Sequence, residues 1–364
     1  MREVVIVEAC RTAIGKFGGT LKALSDIDFG PIPIREVINR TKIAPDQVDE
    51  VIYASGYRTG DLPINSARVV AVKAGIPIEK PQFTISKACA GSIKAVTLAV
   101  QVIKSGDADI IIAGGMESMS NAPYLLPKAR GGYRLGHGDT VMDHMFLDGL
   151  EDAYDRGKLM GCYAEDTATK YQFTRDTQDD FAIESLSRAK KAIEDGSFKT
   201  EVEPVTVKTR KGEVVVKQDE QPLKANIDKI RALKPAFTKD GTVTPANSSS
   251  ISDGGAALVM MRLSEAENRA LTPIAKIHGH TTHAQEPAWF TTAPIGAVEK
   301  LMDKTGWSKD EVDLYEINEA FASLCIGGGE ATAIAVERAV RGDGRTNRSW
   351  KYRPSDRLAR RGPV

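Results

Sequence analysis

Residues 83–115 read FTISKACAGSIKAVTLAVQVIKSGDADIIIAGG and predict a strand, a helix and a second strand in succession. Apolar side chains recur at helical spacing in the middle of this stretch and give the helix one buried face: Ile93, Val96, Val100 and Ile103. The run 110–112 that follows is short and apolar enough to be a buried parallel strand. This succession predicts an α/β fold.

Cys89 lies directly before the start of the predicted helix. Unpaired N–H groups and the positive end of the helix dipole favour the thiolate there, the form of cysteine that attacks a carbonyl. Ala88 and Ala90 are small and leave the sulfur accessible. A cysteine among alanines can also be a small buried core residue. Its position before a helix favours a nucleophile.

The bulk composition limits the classes of partner. The 364 residues contain 49 Lys plus Arg and 49 Asp plus Glu, so the whole chain has no charge bias toward nucleic acid or membrane. The N-terminal residues enter a strand directly, and we expect neither a signal peptide nor a membrane span. The cysteines lie far apart and predict reduced thiols in the cytoplasm: Cys10, Cys89, Cys162 and Cys325.

The other predicted elements follow in chain order. Strands at 4–7 and 51–54 and helices near 34–39 and 66–74 complete a βαβαβ half, with Arg11-Thr12 in the loop after the first strand. Residues 121–155 are rich in glycine, proline, tyrosine and methionine and predict a loop excursion over a ligand site.

Further along, Thr177 is predicted to cap a helix over 179–195, and residues 202–216 read as a hairpin around Lys211-Gly212. The polar run 247–250, an asparagine followed by three serines, is typical of a solvated loop. An apolar stretch follows at 256–261.

An internal repeat indicates two similar halves. The pattern of Pro33-Ile34, a helix, residues 46–49 and a strand reappears from Pro294-Ile295 through residues 310–317. The glycine pair 114–115 after an apolar strand reappears as 327–329. We therefore predict duplicated βαβαβ halves with the excursion inserted after the first.

The second half is truncated. Asp49 and Gly114 are 65 positions apart, but Asp313 and Gly327 are only 14 apart. Only six residues separate Ile317 from Leu324, and adjacent parallel strands need a crossover of about a dozen. These two segments therefore pair antiparallel, or one of them is not a strand.

The chain resembles the thiolase family in several long motifs that occur in the family's order. These are Arg11-Thr12 with Gly15, residues 86–92 around Cys89, residues 113–120, Met160-Gly161 with Ala164-Glu165, residues 247–254, Asn318-Glu319-Ala320-Phe321, and residues 325–329. The resemblance implies a thiolase-like α/β fold with a truncated second half. It divides the chain into a first half with the nucleophile (1–120), an inserted loop domain (121–248), the end of the first half (249–270), the truncated second half (271–340) and a basic, disordered tail (341–364).

The resemblance also implies an acetyl-CoA C-acetyltransferase activity, in which two acetyl-CoA form acetoacetyl-CoA and CoA through an acyl-Cys89 intermediate. In similar enzymes the residue matching Cys325 moves the methyl proton, and the residue matching Asn318 holds a water in an oxyanion hole. The implied substrate-binding residues are Ser249, Met160, Phe237, Ala320 and Phe321. The implied partners are acetyl-CoA and acetoacetyl-CoA, with no cofactor, nucleic acid or membrane. A homodimer or homotetramer in the cytoplasm is expected.

One departure from the family pattern bears directly on activity. The family's Gly-His-Pro segment is absent from the sequence, which removes a general base and an oxyanion donor. A non-catalytic relic that binds acyl-CoA or a partner subunit is therefore an alternative. A ketoacyl synthase-type condensing enzyme is a second alternative, disfavoured because such enzymes pair the cysteine with two histidines.

Residues 278–283 carry three closely spaced histidines: His278, His280 and His283. Such spacing can bind zinc, but no cysteine or carboxylate is placed nearby to complete a site. We predict a loop at the domain boundary and no metal.

Overall fold

The structure, a computed structural model, describes residues 2–57, 64–136, 138, 140–317 and 329–339. Its first half contains β1 (Val4–Thr12), β2 (Gly15–Lys16), α1 (Asp26–Phe29), α2 (Pro31–Thr41), β3 (Glu50–Ala54), α3 (Ser66–Lys73), β4 (Gln82–Ile85), α4 (Gly91–Ser105) and β5 (Ile110–Ser118). The predicted order of strands and helices in this half is confirmed. Arg11 and Thr12 belong to β1 and not to the loop after it, because Arg11 pairs with Ala256 and bonds Asp219 and Glu201.

The excursion has little regular structure, as predicted. Its described part holds the short pair β6 (Tyr124–Leu125) and β7 (Met142–Asp143), a 3₁₀ turn at Ala129–Gly131 and a π-helical turn at Phe146–Leu150. Two helices follow, α5 (Met160–Lys170) and α6 (Arg175–Glu194). The prediction that Thr177 caps α6 is wrong by one turn. Thr174 is the cap, and its hydroxyl oxygen accepts a hydrogen bond from the Thr177 N–H.

The chain returns to the sheet through β8 (Val202–Glu203), β9 (Val205–Thr209), β10 (Gly212–Val216), α7 (Glu220–Lys224), β11 (Ser252–Arg262) and α8 (Leu263–Asn268). The predicted hairpin is confirmed, since β9 and β10 pair antiparallel from Thr209 opposite Gly212. The apolar stretch 256–261 lies within β11, which extends beyond it at both ends.

The described second half contains only β12 (Ala275–Ala284), α9 (Ala293–Thr305) and β13 (Glu330–Arg338) as strands and a long helix. The three histidines lie on β12, so the predicted loop is wrong; antiparallel pairing with β13 determines their conformation. Residues 314–317 form no strand in the described part of the chain, which agrees with the alternative that one of the two second-half segments is not a strand. Residues 324–326 lie outside the described residues.

One nine-stranded sheet joins both halves in the order β13-β12-β1-β11-β5-β3-β4, with β2 on β11 and β8 on β1. Helix α4 and Ile334 of β13 belong to the core on one face of the sheet, whereas Ala331 of β13 packs with α9 on the opposite face. Strands β4, β3 and β5 are parallel, so their carboxyl ends lie at one edge of the sheet.

No helix in the described part of the chain has the length and apolar character needed to cross a bilayer.

Candidate active site

Cys89 lies on a tight loop between β4 and α4 and is exposed. Ala88 has a φ of 45°, in the left-handed region, and the Gly91 N–H donates to the Ala88 carbonyl oxygen at 2.9 Å. This turn brings Cys89 to the first turn of α4, as the sequence predicted. The positive end of the helix dipole favours a thiolate at this position.

The other described cysteines are less suited to attack a substrate. Cys10 is buried on β1, and burial raises the pKa of its thiol to about 12. Cys162 is half-buried on α5. Among the described cysteines, Cys89 is therefore the one whose sulfur a thioester can reach.

An ion pair connects the loop before Cys89 to the second half. Lys87 forms an ion pair with Glu330, the first residue of β13, and the Lys87 side chain is only 15% exposed. The pair forms part of the wall of a cavity of about 450 Å³, whose lining also includes Ile85, Lys94 and Leu98. The second half thus contacts one side of the loop that carries Cys89 (residues 86–90), here called the nucleophile loop.

Glu117 lies at the carboxyl end of β5 and is held by the loop that follows β3. Its carboxylate accepts hydrogen bonds from the Gly56 N–H at 2.7 Å and the Tyr57 N–H at 3.1 Å. Burial and the negative charge of Asp26 raise the pKa of Glu117 to about 8, with a further contribution from the Cys89 thiolate, although the two N–H bonds act in the opposite direction. A carboxyl that titrates near neutrality therefore lies in the electrostatic environment of the nucleophile.

Two of the predicted substrate-binding residues, Met160 and Phe237, belong to segments that pack together. Met160 is the first residue of α5, and the next residue, Gly161, lies flat against the Phe237 ring. A Cβ at Gly161 would come within 2.3 Å of ring carbons, so only glycine permits this approach. The packing holds the Phe237 ring against the start of α5.

Ser249 is exposed on the loop that leads into β11. Strand β11 runs antiparallel to β5 and pairs Gly254 with Glu117, so this loop approaches the edge of the sheet where β5 ends. The loop is anchored by Asn247, which is buried and donates to Asp179 and the Thr242 carbonyl oxygen. Glu165 of α5 accepts from the N–H groups of Thr242 and Val243 and ties the same segment to the helix of Met160.

Four predicted site residues lie outside the described residues: Asn318, Ala320, Phe321 and Cys325. Their roles remain those implied by the resemblance.

The three histidines of β12 make separate contacts. His278 bonds Glu337, His283 bonds Gln285, and burial lowers the pKa of His280 to about 4, with a further contribution from Lys304. The described residues contain no group of three histidine, cysteine or acidic side chains that could hold a metal ion.

Sequence reasoning did not identify Glu117 or Glu330 as site residues. Glu117 follows a glycine pair at the end of a buried strand, and an acidic residue there was the available signal. Glu330 gave no comparable signal, since its partner Lys87 is 243 positions away in the sequence.

Comparison with known proteins agrees with this architecture. Residues 4–264 match the model of the thiolase N-terminal domain, and residues 271–338 match that of the thiolase C-terminal domain. The chain belongs to the thiolase family. It is 44% identical over 327 residues to an acetyl-CoA acetyltransferase of Syntrophomonas wolfei, an alignment that covers 89% of this chain and 82% of the relative.

Other members of the family are similarly related to this thiolase. A probable acetyl-CoA acyltransferase of Staphylococcus aureus is 38% identical over 343 residues, which cover 94% of this chain and 84% of the relative. The crystal structure of the Bacillus anthracis acetyl-CoA acetyltransferase superposes with a TM-score of 0.86 at 32% identity, and the superposition covers 93% of this chain and 99% of that one. The thiolase fold predicted from the sequence is thus confirmed.

Proposed function

We propose that this thiolase is an acetyl-CoA C-acetyltransferase that accepts an acetyl group on Cys89. The observation that supports it most is an exposed cysteine at the N-terminus of α4, in a chain similar to proteins named acetyl-CoA acetyltransferases. The Cys89 sulfur attacks the thioester carbonyl carbon, the bond from that carbon to the CoA sulfur breaks, and CoA leaves as the thiol. A second acetyl-CoA then loses a methyl proton and its carbanion attacks the acyl carbon. The bond from that carbon to the Cys89 sulfur breaks, so that acetoacetyl-CoA is released and the sulfur takes up a proton to regenerate the Cys89 thiol.

The other roles in the proposal come from family resemblance. Cys325 moves the methyl proton, Asn318 holds an oxyanion-hole water, and the pantetheine and acyl groups contact Ser249, Met160, Phe237, Ala320 and Phe321. The substrates are CoA thioesters and no resident cofactor takes part. We expect a cytoplasmic homodimer or homotetramer.

Self-acetylation tests the proposal. The purified chain is incubated with acetyl-CoA and the intact mass is measured, with Cys89→Ala as the variant and Cys162→Ala as the matched control. An acetyl adduct that persists in Cys162→Ala and is lost in Cys89→Ala is the expected result. An adduct that survives Cys89→Ala would overturn the assignment of the nucleophile.

A second candidate function is a non-catalytic relic that binds acyl-CoA. The observation that favours it is the absence of a Gly-His-Pro segment from the sequence. If calorimetry shows acetyl-CoA binding but the mass spectrum shows no acetyl adduct, the result would support a non-catalytic acyl-CoA-binding protein over an acetyltransferase.

A further inference from the structure

Three parallel strands, β4, β3 and β5, end at the edge of the sheet where the loop that carries Cys89 begins. In the sheet, Ala54 of β3 lies between Ile85 of β4 and Gly115 of β5. Lys87 lies two residues after Ile85, and Glu117 lies two residues after Gly115. Neighbouring strands are about 4.8 Å apart, so the nucleophile loop and Glu117 follow strands separated by about 10 Å.

Glu117 also shares a face of the sheet with α4. Ile111 and Ala113, at alternate positions of β5, pack in the core beneath α4, and Gly115 faces Ser92 of its first turn. A Cβ on Gly115 would come within 2.2 Å of the Ser92 Oγ. Glu117 is the next residue on this face, so its side chain projects at the helix end that Cys89 precedes.

The described hydrogen bonds to the Glu117 carboxylate both come from backbone amides, those of Gly56 and Tyr57. They hold the carboxylate in place without supplying a compensating cation. The negative charges of Asp26 on α1 and of Cys89 when it is ionised both raise the pKa of Glu117. Glu117 is therefore fixed in position but free to take up and release a proton.

We propose that Glu117 carries the proton of the Cys89 thiol during acyl transfer. The inference rests on the proposed function of Cys89. As the Cys89 sulfur attacks the thioester carbon, its proton passes to the Glu117 carboxylate, directly or through one water. When the bond to the CoA sulfur breaks, the Glu117 carboxylic acid returns that proton to the CoA sulfur, so CoA leaves as the thiol and Glu117 is again a carboxylate.

The charge environment suits a group that must both take up and release a proton near neutral pH. A proton carrier is most effective when its pKa lies near the working pH, and burial with Asp26 raises the pKa of Glu117 to about 8. The ionised fraction of Glu117 therefore grows as the pH rises from 7 toward 8. Acetylation should therefore accelerate over this interval.

Glu117→Gln separates proton transfer from simple thiol reactivity. The amide oxygen can still accept a hydrogen bond from a backbone N–H, but the glutamine side chain has no titratable proton to take up or release. Acetylation by acetyl-CoA should slow at least tenfold. Alkylation by iodoacetamide needs only the thiolate and should be unchanged or faster, because a neighbouring negative charge has been removed.

Glu50→Gln is the matched control. Glu50 lies at the opposite end of β3, and burial also raises the pKa of its carboxyl. We expect neither reaction to change in this variant.

The possible outcomes are distinct. No acetyl adduct in the unaltered chain overturns the proposed function itself. A normal acetylation rate in Glu117→Gln overturns only this inference. An equal slowing of acetylation and alkylation also overturns it, because it would show that the substitution disturbs the loop that carries Cys89.

Asp26→Asn gives a second test should Glu117→Gln fail to fold. It removes a charge that raises the pKa of Glu117, so the pH midpoint of acetylation should fall. An unchanged midpoint would contradict the inference.

Discussion

At the scale of single residues, burial and backbone contacts determine which side chains can react. Cys10 and Cys89 are both thiols, but Cys10 is buried within β1 and Cys89 is exposed before α4. The sequence identified Cys89 because a helix start is a local signal. It did not identify Glu117, whose partner Gly56 is 61 positions away and becomes a neighbour only when the sheet forms.

Glu117→Gln should also change how stability depends on pH. The pKa of Glu117 is about 8 in the folded chain against an ordinary 4.5, so the folded state holds the proton more tightly between these values. Stability is therefore lost as the pH rises from about 4.5 to 8. The variant escapes this loss, and its advantage should grow by about 1–3 kcal/mol from pH 5 to pH 9, allowing for partial exposure.

Urea denaturation of both proteins at pH 5, 7 and 9 measures that advantage. A difference in unfolding free energy that is the same at all three pH values would contradict the pKa assigned to Glu117.

Gly161→Ala tests the packing at the start of α5. Its new Cβ would lie 2.3 Å from the Phe237 ring, so the ring must move, and overpacking of this kind costs about 1–3 kcal/mol. We expect a lower melting temperature and weaker acetyl-CoA binding. Gly131→Ala is the control, because a Cβ at Gly131 meets no atom within 4 Å. Equal melting temperatures for the two variants would show that the contact is unimportant.

At the scale of elements, local signals were sufficient where apolar spacing or turn residues within the segment itself mark the element. Helix α4 and the β9–β10 hairpin lie where the spacing of apolar residues and turn residues predicted them. Sequence similarity to a first-half strand was not sufficient at residues 314–317, which have no partner strand in the described chain. The histidine segment became a strand because β13 pairs with it, a partner far along the sequence.

Glu330→Gln tests whether β13 holds the nucleophile loop. Loss of the carboxylate breaks the ion pair with Lys87, so hydrogen exchange in residues 86–92 should become several-fold faster. Glu337→Gln is the control, since Glu337 lies on the same strand and bonds His278. Identical exchange in the two variants would mean that β13 does not order this loop.

At the scale of the whole molecule, a complete first half is joined to a reduced second half in one sheet. The resemblance implies assembly through the first-half sheet, and in the described chain β4 forms its edge. Edge strands present unpaired backbone groups that favour association. We therefore predict that size-exclusion chromatography with light scattering will give an oligomer or a soluble aggregate. A sharp monomer peak that persists at high concentration would count against this.

The central claim is that Cys89 retains acyl acceptance while the full reaction is impaired by the missing Gly-His-Pro segment. The missing segment removes an oxyanion donor, and loss of one such donor costs about a hundredfold to a thousandfold in rate.

The most direct test is thiolysis of acetoacetyl-CoA by this chain and by a version given a second-half segment that bears Gly-His-Pro. We predict turnover at least about a hundredfold slower in the unaltered chain. Comparable turnover from the two proteins would contradict the account.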